Sequence, residues 1–292
     1  MAERDSGYLQ IHCSSCKEVL DSVLIAYRLA EDRRVRLPVI VNLDGFYRSF
    51  TREPEELPEP ATVSRFLPPF DAESTRFSAS APTSQAVAVL SGTPYSYFRY
   101  ETHLAALNAI SVYDETAAAF ADVFGRQHAA VEAYRCEDAD IVFVMIGSFA
   151  SKAREAVDRL REAGQAVGLV RPRLLRPFPA EHLQRLLAGK RGVAVIDQNL
   201  SMGLGGVLHS ELSSALYGKS GAPAVLLSFI GGLGGRDITP EEFYEIAAVT
   251  RQAAESGVIP PPRLLYTRDE VREVTKLQAI AHAERNELET GE

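Results

Sequence analysis

Three arginines, Arg171, Arg173 and Arg176, stand just ahead of Pro177-Phe178-Pro179 at the end of an apolar run that reads as a parallel strand. Ligands of open α/β sheets bind at such strand ends, and three guanidiniums there form either a grip for a carboxylate or phosphate or a set of interface ion pairs. Cys13-Ser14-Ser15-Cys16 lies at a strand-to-helix junction, where the helix dipole lowers a thiol pKa in redox dithiols; ordinary packing is the competing reading. Met202-Gly203-Leu204-Gly205-Gly206 follows a strand and precedes a helix, the setting of a dinucleotide fingerprint, yet Leu208 stands where the third glycine belongs. Gly231, Gly232, Gly234 and Gly235 fail the same spacing, and Asp237 would repel a phosphate at the helix entrance. Those glycines fit a close-contact turn, with Arg236 and Asp237 beside it. The six histidines are scattered, with no helical metal pair and no H-E-x-x-H, and no nucleophile elbow occurs. No metal site and no catalytic residue is expected from these patterns.

The elements that must carry these residues alternate. Residues 7 to 13 read as a strand, Ser15 and Glu18 as a capping box, and Val19 to Tyr27 as one helical face. A second strand, Leu37 to Leu43, stops at Asp44-Gly45-Phe46. This βαβ unit is too small to stand alone and is expected at the edge of a larger sheet. Thr51 to Pro94 is proline-rich and reads as an extended connection with one possible strand, Ala86 to Leu90. A helix from about Tyr100 to Phe124 ends at Gly125. Strands 141–146, 166–170, 193–196 and 224–230 then alternate with helices 150–163, 180–187, 207–217 and 240–256, each helix stopped by a glycine. Such alternation calls for a parallel sheet covered on both faces. Thr239, Pro240 and Glu242 mark the last of those helix starts, and Thr267 with Glu270 caps a charged tail helix.

At 292 residues, with 46% hydrophobic and 24% charged side chains, the composition is that of a globular protein of one large or two ordinary domains. A net charge of -8 excludes a polyanion, hence nucleic acid, as the expected partner. No apolar run approaches the roughly 20 residues that span a bilayer, and Met1-Ala2-Glu3-Arg4-Asp5 is charged, so a cytoplasmic protein without a membrane partner is expected. Three cysteines give neither a disulfide framework nor the thiolates of an iron–sulfur cluster.

An ordered set of segments resembles one family. These are Leu37-Pro38-Val39-Ile40-Val41-Asn42-Leu43-Asp44-Gly45-Phe46, Phe66-Leu67-Pro68-Pro69-Phe70, Phe124-Gly125-Arg126, Gly147-Ser148, Arg176-Pro177-Phe178-Pro179 and Gly232-Leu233-Gly234-Gly235-Arg236-Asp237-Ile238-Thr239. Together they resemble the alpha subunit of pyruvate:ferredoxin oxidoreductase and related 2-oxoacid:ferredoxin oxidoreductases, over roughly residues 7 to 255. The resemblance implies a parallel-sheet α/β domain like the C-terminal domain of transketolase, preceded by a partial βαβ portion of a thiamine diphosphate pyrimidine-binding domain. The implied boundaries are 1–60 for that portion, 61–135 for a linker and long helix, 136–258 for the transketolase-like domain and 259–292 for the charged helical tail. The family's long region before this portion, with the glutamate that activates the cofactor, has no counterpart in the sequence.

What the resemblance implies for function is a subunit of a split 2-oxoacid:ferredoxin oxidoreductase, pyruvate being the commonest substrate. Thiamine diphosphate and magnesium would be held largely by other chains, iron–sulfur clusters by other subunits, and none by this chain alone. Implied partners are the missing pyrimidine-domain part, a diphosphate-binding beta subunit, gamma and ferredoxin-like subunits, and ferredoxin indirectly. Asp44, Gly45, Phe46, Gly232, Gly234, Gly235, Arg236 and Asp237 are expected at interface loops near the assembled site, with Arg171, Arg173 and Arg176 as a possible anion-binding set. The competing expectation is a non-catalytic binding or regulatory remnant of such an enzyme.

Overall fold

The computed structural model describes residues 2–45, 47–50, 52–70, 78–82 and 92–290. The chain opens as β1 (Leu9–His12), α1 (Cys16–Glu31) and β2 (Val39–Asn42). β1 and β2 pair in parallel, Leu9 opposite Val39 through His12 opposite Asn42, so the expected βαβ unit forms. Ser15 caps α1 by accepting from the Glu18 amide at 3.1 Å, but Glu18 answers to the amide and hydroxyl of Ser14 rather than to the cap residue. The expected strand at Ala86 to Leu90 lies outside the described residues, as does Phe46.

Within the proline-rich connection a short helix, α2 (Pro60–Phe66), forms where none was expected, with Pro60 in its first turn. Phe66 anchors it: the ring is fully buried, 5.2 Å edge-on from Phe120, and its carbonyl accepts from Arg28. α3 (Gly92–Phe124) begins eight residues earlier than its expected start. Its second half buries Ala109, Val112, Tyr113, Ala117 and Phe120 against Ile25 and Leu29 of α1, so the long helix completes the core of the βαβ unit. Arg126, just after α3, returns to α1 and pairs with buried Asp21 at 2.6 Å.

The second half of the chain is β3 (Val131–Tyr134), β4 (Ile141–Val144), α4 (Phe149–Glu162), β5 (Val167–Pro172), β6 (Leu174–Arg176), α5 (Ala180–Leu187), β7 (Gly192–Asp197), α6 (Val207–Leu216), β8 (Val225–Ile230), α7 (Pro240–Ser256), β9 (Arg263–Leu264) and α8 (Arg268–Thr290). Its sheet runs β3-β5-β4-β7-β8-β9, parallel except for β3 at the edge. Helices α4 and α7 cover one face and α5 and α6 the other. The expected parallel-sheet α/β architecture is therefore present, preceded by the βαβ portion. The short strands β3, β6 and β9 escaped sequence reading because two to four residues carry too little periodicity. β6 is the consequential one: it leaves the second sheet and pairs antiparallel with β1, making a three-stranded sheet β2-β1-β6 that locks the two halves together.

Candidate functional site

The loop after β2 reaches the second sheet. Asp44 sets its carboxylate on the backbone N–H of Ser148, at the start of α4 and 104 residues away in sequence. Ser148 supplies no capping bond of its own, so Asp44 is the cap, and its negative charge faces the positive end of the helix. Gly147 has φ 78°, and a Cβ there would lie 2.7 Å and 2.9 Å from the Asp44 oxygens and 2.8 Å from Gln198 Oε1. Only glycine meets both requirements.

Three loops converge on this point because β4, β7 and β8 are parallel neighbours and end on the same side of the sheet. Gly147 follows β4, Gln198 follows β7, and Gly231 and Gly232 follow β8. Tyr47 packs edge-on to Phe149 at 4.8 Å, and its hydroxyl donates to the Gly235 carbonyl at 3.3 Å. Lys152 pairs with Asp237 and stands over the rings of both Tyr47 and Phe149. The structure thus brings Asp44, Gly232, Gly235 and Asp237 to one seam. Gly45 and Gly234 border it with open space around them. Tyr47, Phe149, Lys152 and Gln198 were missed, since a tyrosine beside Phe46 or a lysine on a helix face carries no motif. Arg236 turns away from the seam. It forks to Glu242 and Glu270, with 2.6 Å bonds to both Glu270 oxygens, and so ties α8 to the start of α7. A cavity of about 310 Å3 remains between the glycine loop and α8, lined by Gly232, Arg236, Tyr266 and Val274.

The helix starts near the seam are filled by the chain itself. Asp197, at the end of β7, accepts from the amides of Leu208 at 2.8 Å and His209 at 3.1 Å at the start of α6. Gly206 permits this approach, because a Cβ there would sit 2.1 Å from the carboxylate. Thr239 and Glu242 form the full capping box of α7, as the sequence indicated. At the starts of α1, α4, α6 and α7 one or two amides are already bonded to Ser15, Asp44, Asp197 and Thr239, and the two aspartates add negative charge where an anion would sit. Among the described residues there is also no group of three histidines, cysteines or acids that would hold a metal ion.

Burial pushes the Asp197 carboxyl up to about 6, against the pull of its amide bonds. The folded state then keeps a proton that the unfolded chain releases near the ordinary value of 3.8, so stability falls as pH rises from about 4 to about 6. This shift corresponds to a loss on the order of 2–3 kcal/mol across that window. Urea unfolding at stepped pH should show that slope in the native chain. Asp197→Asn should abolish it while giving up the bond from His209; an unchanged slope in the variant would assign the dependence to another group.

The three arginines do not converge on open space. Arg171 and Arg173 are 3% and 5% exposed and both bind Glu18 of α1, Arg171 at 3.0 Å. Arg171 also pairs with Glu132, which Arg154 shares, and Arg173 donates to the Ala129 carbonyl at 2.6 Å. Arg176 pairs with Glu211 at 2.7 Å and Asp5 at 3.3 Å. Of the two readings of this trio, the ion pairs are the arrangement found, and they join the βαβ unit to the second sheet. The Glu18 carboxyl is held at about 2, its two arginines and the Ser14 hydroxyl outweighing burial. Cys13 is buried and pushed up to about 11 by that burial, and burial also raises Cys16, followed by its bond to Glu53. Both shifts oppose thiolate formation, the reverse of what a redox dithiol needs.

Comparison with known proteins follows the same two halves. Residues 1–119 match the family described as pyruvate flavodoxin/ferredoxin oxidoreductase, thiamine diphosphate-binding, and residues 139–243 match pyruvate:ferredoxin oxidoreductase core domain II. Pyruvate synthase subunit PorA of Methanothermobacter thermautotrophicus is 40% identical over 259 residues, covering 88% of this chain and 65% of that protein. The subunit of the same name from Methanosarcina barkeri is 32% identical over 273 residues, covering 93% of this chain and 67% of that protein. Ketoisovalerate oxidoreductase subunit VorA of Pyrococcus horikoshii is 36% identical over 260 residues, covering 88% of this chain and 64% of that protein. The chain thus spans about two thirds of the length of the curated relatives it matches. With both halves and the seam between them inside these matches, the chain belongs to the family of 2-oxoacid:ferredoxin oxidoreductase alpha subunits.

Proposed function

We propose that this chain is a subunit of a 2-oxoacid:ferredoxin oxidoreductase of the pyruvate type. The assembled enzyme decarboxylates the 2-oxoacid on thiamine diphosphate, transfers the acyl group to coenzyme A and passes the electrons through iron–sulfur clusters to ferredoxin. The observation that carries this reading is the 40% identity with a pyruvate synthase subunit over 88% of the chain. Its own helix starts carry Ser15, Asp44, Asp197 and Thr239, which supports a division of labour in which companion chains hold the diphosphate, its magnesium and the clusters. The contribution of this chain is then the rigid seam of Asp44, Gly147, Gln198 and Gly232 beside the assembled site, with no proton-transfer residue among them. Three free cysteines suit a reducing compartment, and we place the complex in the cytoplasm.

The test is purification of the tagged chain with its companion subunits, followed by 2-oxoacid- and coenzyme A-dependent reduction of ferredoxin. Pyruvate should exceed 2-oxoisovalerate in kcat/KM by about tenfold or more, the scale on which a pocket discriminates added methylenes. A chain recovered only as a monomer, with no companion subunit and no turnover, would overturn the reading in favour of a non-catalytic remnant.

A further inference from the structure

α3 carries two apolar faces. Ala109, Val112, Tyr113, Ala117 and Phe120 make the inner one, packed on α1. Tyr97, Tyr100, Leu104 and Leu107 make the other, at the alternating three- and four-residue spacing of a helix–helix seam. With about 3.6 residues per turn the two sets stand on opposite sides of the helix, so the second faces away from the core. Its members are 57%, 59%, 41% and 48% exposed. A surface helix ordinarily shows one apolar stripe and a polar back, and a second stripe calls for a second partner.

The outer stripe runs into a hollow. Where it ends, Leu107 and Ile110 of α3 and Phe178, just ahead of α5, line an open cavity of about 520 Å3. The charged residues beside stripe and hollow are acidic, Glu101 on the helix and Asp114 and Glu181 in the lining. Glu101 accepts from the Tyr97 hydroxyl at 2.7 Å, and Asp114 meets His182 at 3.2 Å. Among the described residues neither is paired with a lysine or an arginine, and α3 itself has none from Tyr100 to Phe124. A second copy of the stripe would therefore bring acid against acid, whereas a basic helix meets it with opposite charge.

We propose that this outer face of α3, continued by the hollow at α5, seats a basic amphipathic helix of a companion subunit. Its apolar residues lie against Tyr97, Tyr100, Leu104 and Leu107, and its lysines or arginines beside Glu101, Asp114 and Glu181. The presence of a companion rests on the proposed function; the face and the chemistry of its occupant rest on α3.

Hydroxyl-radical footprinting of the isolated chain and of the purified complex tests it. Oxidation of Tyr97 and Tyr100 should fall at least about fivefold on assembly, as for side chains at the dry centre of an interface. Carbodiimide should couple Glu101 or Asp114 to a lysine of the companion within a segment of helical apolar spacing. A complex that turns over the 2-oxoacid with Tyr97 and Tyr100 as reactive as in the isolated chain would overturn this inference and leave the proposed function standing. Absence of any companion would overturn both. Protection already present in the isolated chain would give the face to a second copy or to the chain itself, which light scattering separates, and would overturn the inference too.

The isolated chain offers a readout free of the complex. A three-heptad peptide with leucine at a and d and lysine at e and g should bind it, and the same peptide with glutamate for lysine should bind at least about tenfold more weakly. Equal affinities, or no binding of the lysine peptide, would overturn the inference. Leu104→Asp and Glu101→Lys should each weaken the lysine peptide by about tenfold or more at an unchanged melting temperature. Should Leu104→Asp fail to fold, full binding by folded Glu101→Lys is sufficient to reject the inference.

Discussion

Glu18→Gln is expected to lower the stability of the chain at pH 7 by about 3–5 kcal/mol, the range for removing one partner of a buried ion pair. Glu18 is 6% exposed, and its carboxylate faces Arg171 and Arg173, both nearly buried. Its second oxygen accepts from the Ser14 amide at 2.8 Å and the Ser14 hydroxyl at 2.6 Å. Glutamine preserves the shape and removes the charge, so two guanidiniums are left with Glu132, which already serves Arg154. A loss of this size is a large share of a domain's usual 5–15 kcal/mol. The effect has a pH signature. Because the carboxyl is held at about 2 against an ordinary 4.5, its stabilisation is complete above about pH 4.5 and disappears as pH falls toward 2. Native chain and variant should therefore differ strongly at pH 7 and converge in acid. The dependence has the opposite sign from that of Asp197, which weakens the fold as pH rises from about 4 to about 6. Chemical denaturation of Glu18→Gln at pH 7 and in acid checks this; midpoints that agree throughout would show that the network contributes nothing net. Glu18→Leu combined with Arg173→Met removes one acid and one base together, and should recover part of the loss.

Gly147→Ala is expected to cost about 2–3 kcal/mol, roughly 1–2 from the left-handed backbone and about 1 from loss of the helix cap. The new methyl group would stand 2.7 Å from an Asp44 oxygen. Both Asp44 oxygens lie within 2.9 Å of that position, so moving the carboxylate aside weakens its bond to the Ser148 amide and uncaps α4. Asp44→Ala alone should cost about 1 kcal/mol, the cap without the clash. The two changes should then be coupled: in the Asp44→Ala background the glycine substitution should be milder by about 1 kcal/mol, which a double-mutant cycle of thermal unfolding measures. Strict additivity would mean that the two residues do not act on one another. In the enzyme proposed above the same substitution would displace the seam formed with Gln198 and Gly232, and a fall in turnover beyond that of Asp44→Ala is expected.

Much of the second half was legible because its signals are local. The capping box of Thr239 and Glu242, the stops at Gly164, Gly189, Gly218 and Gly257 and the apolar runs of β4, β7 and β8 each depend on residues within about four positions, the range over which a helix or strand writes its period. The ordered segments from Leu37 to Thr239 carried the family for the same reason, as short stretches readable in isolation. β6 was not legible: three residues before Pro177 have no period, and their pairing with β1 is fixed by strands more than 160 residues apart.

That pairing decides what the sequence left open. Arg171, Arg173 and Arg176 read equally as an anion grip or as ion pairs, since a guanidinium does not encode its partner. The tertiary structure chose Glu18, 153 positions from Arg171, because β6 draws the end of β5 against the start of α1. Gly147 looked like one more glycine after a strand until Asp44 arrived from 104 residues away to cap α4. By itself the sequence determined the alternating α/β architecture, the helix ends of the second half and the family. The tertiary structure determined which charges are paired inside the chain and which helix amides are capped by residues distant in sequence. These depend on distances between residues far apart in sequence, which only the completed packing sets.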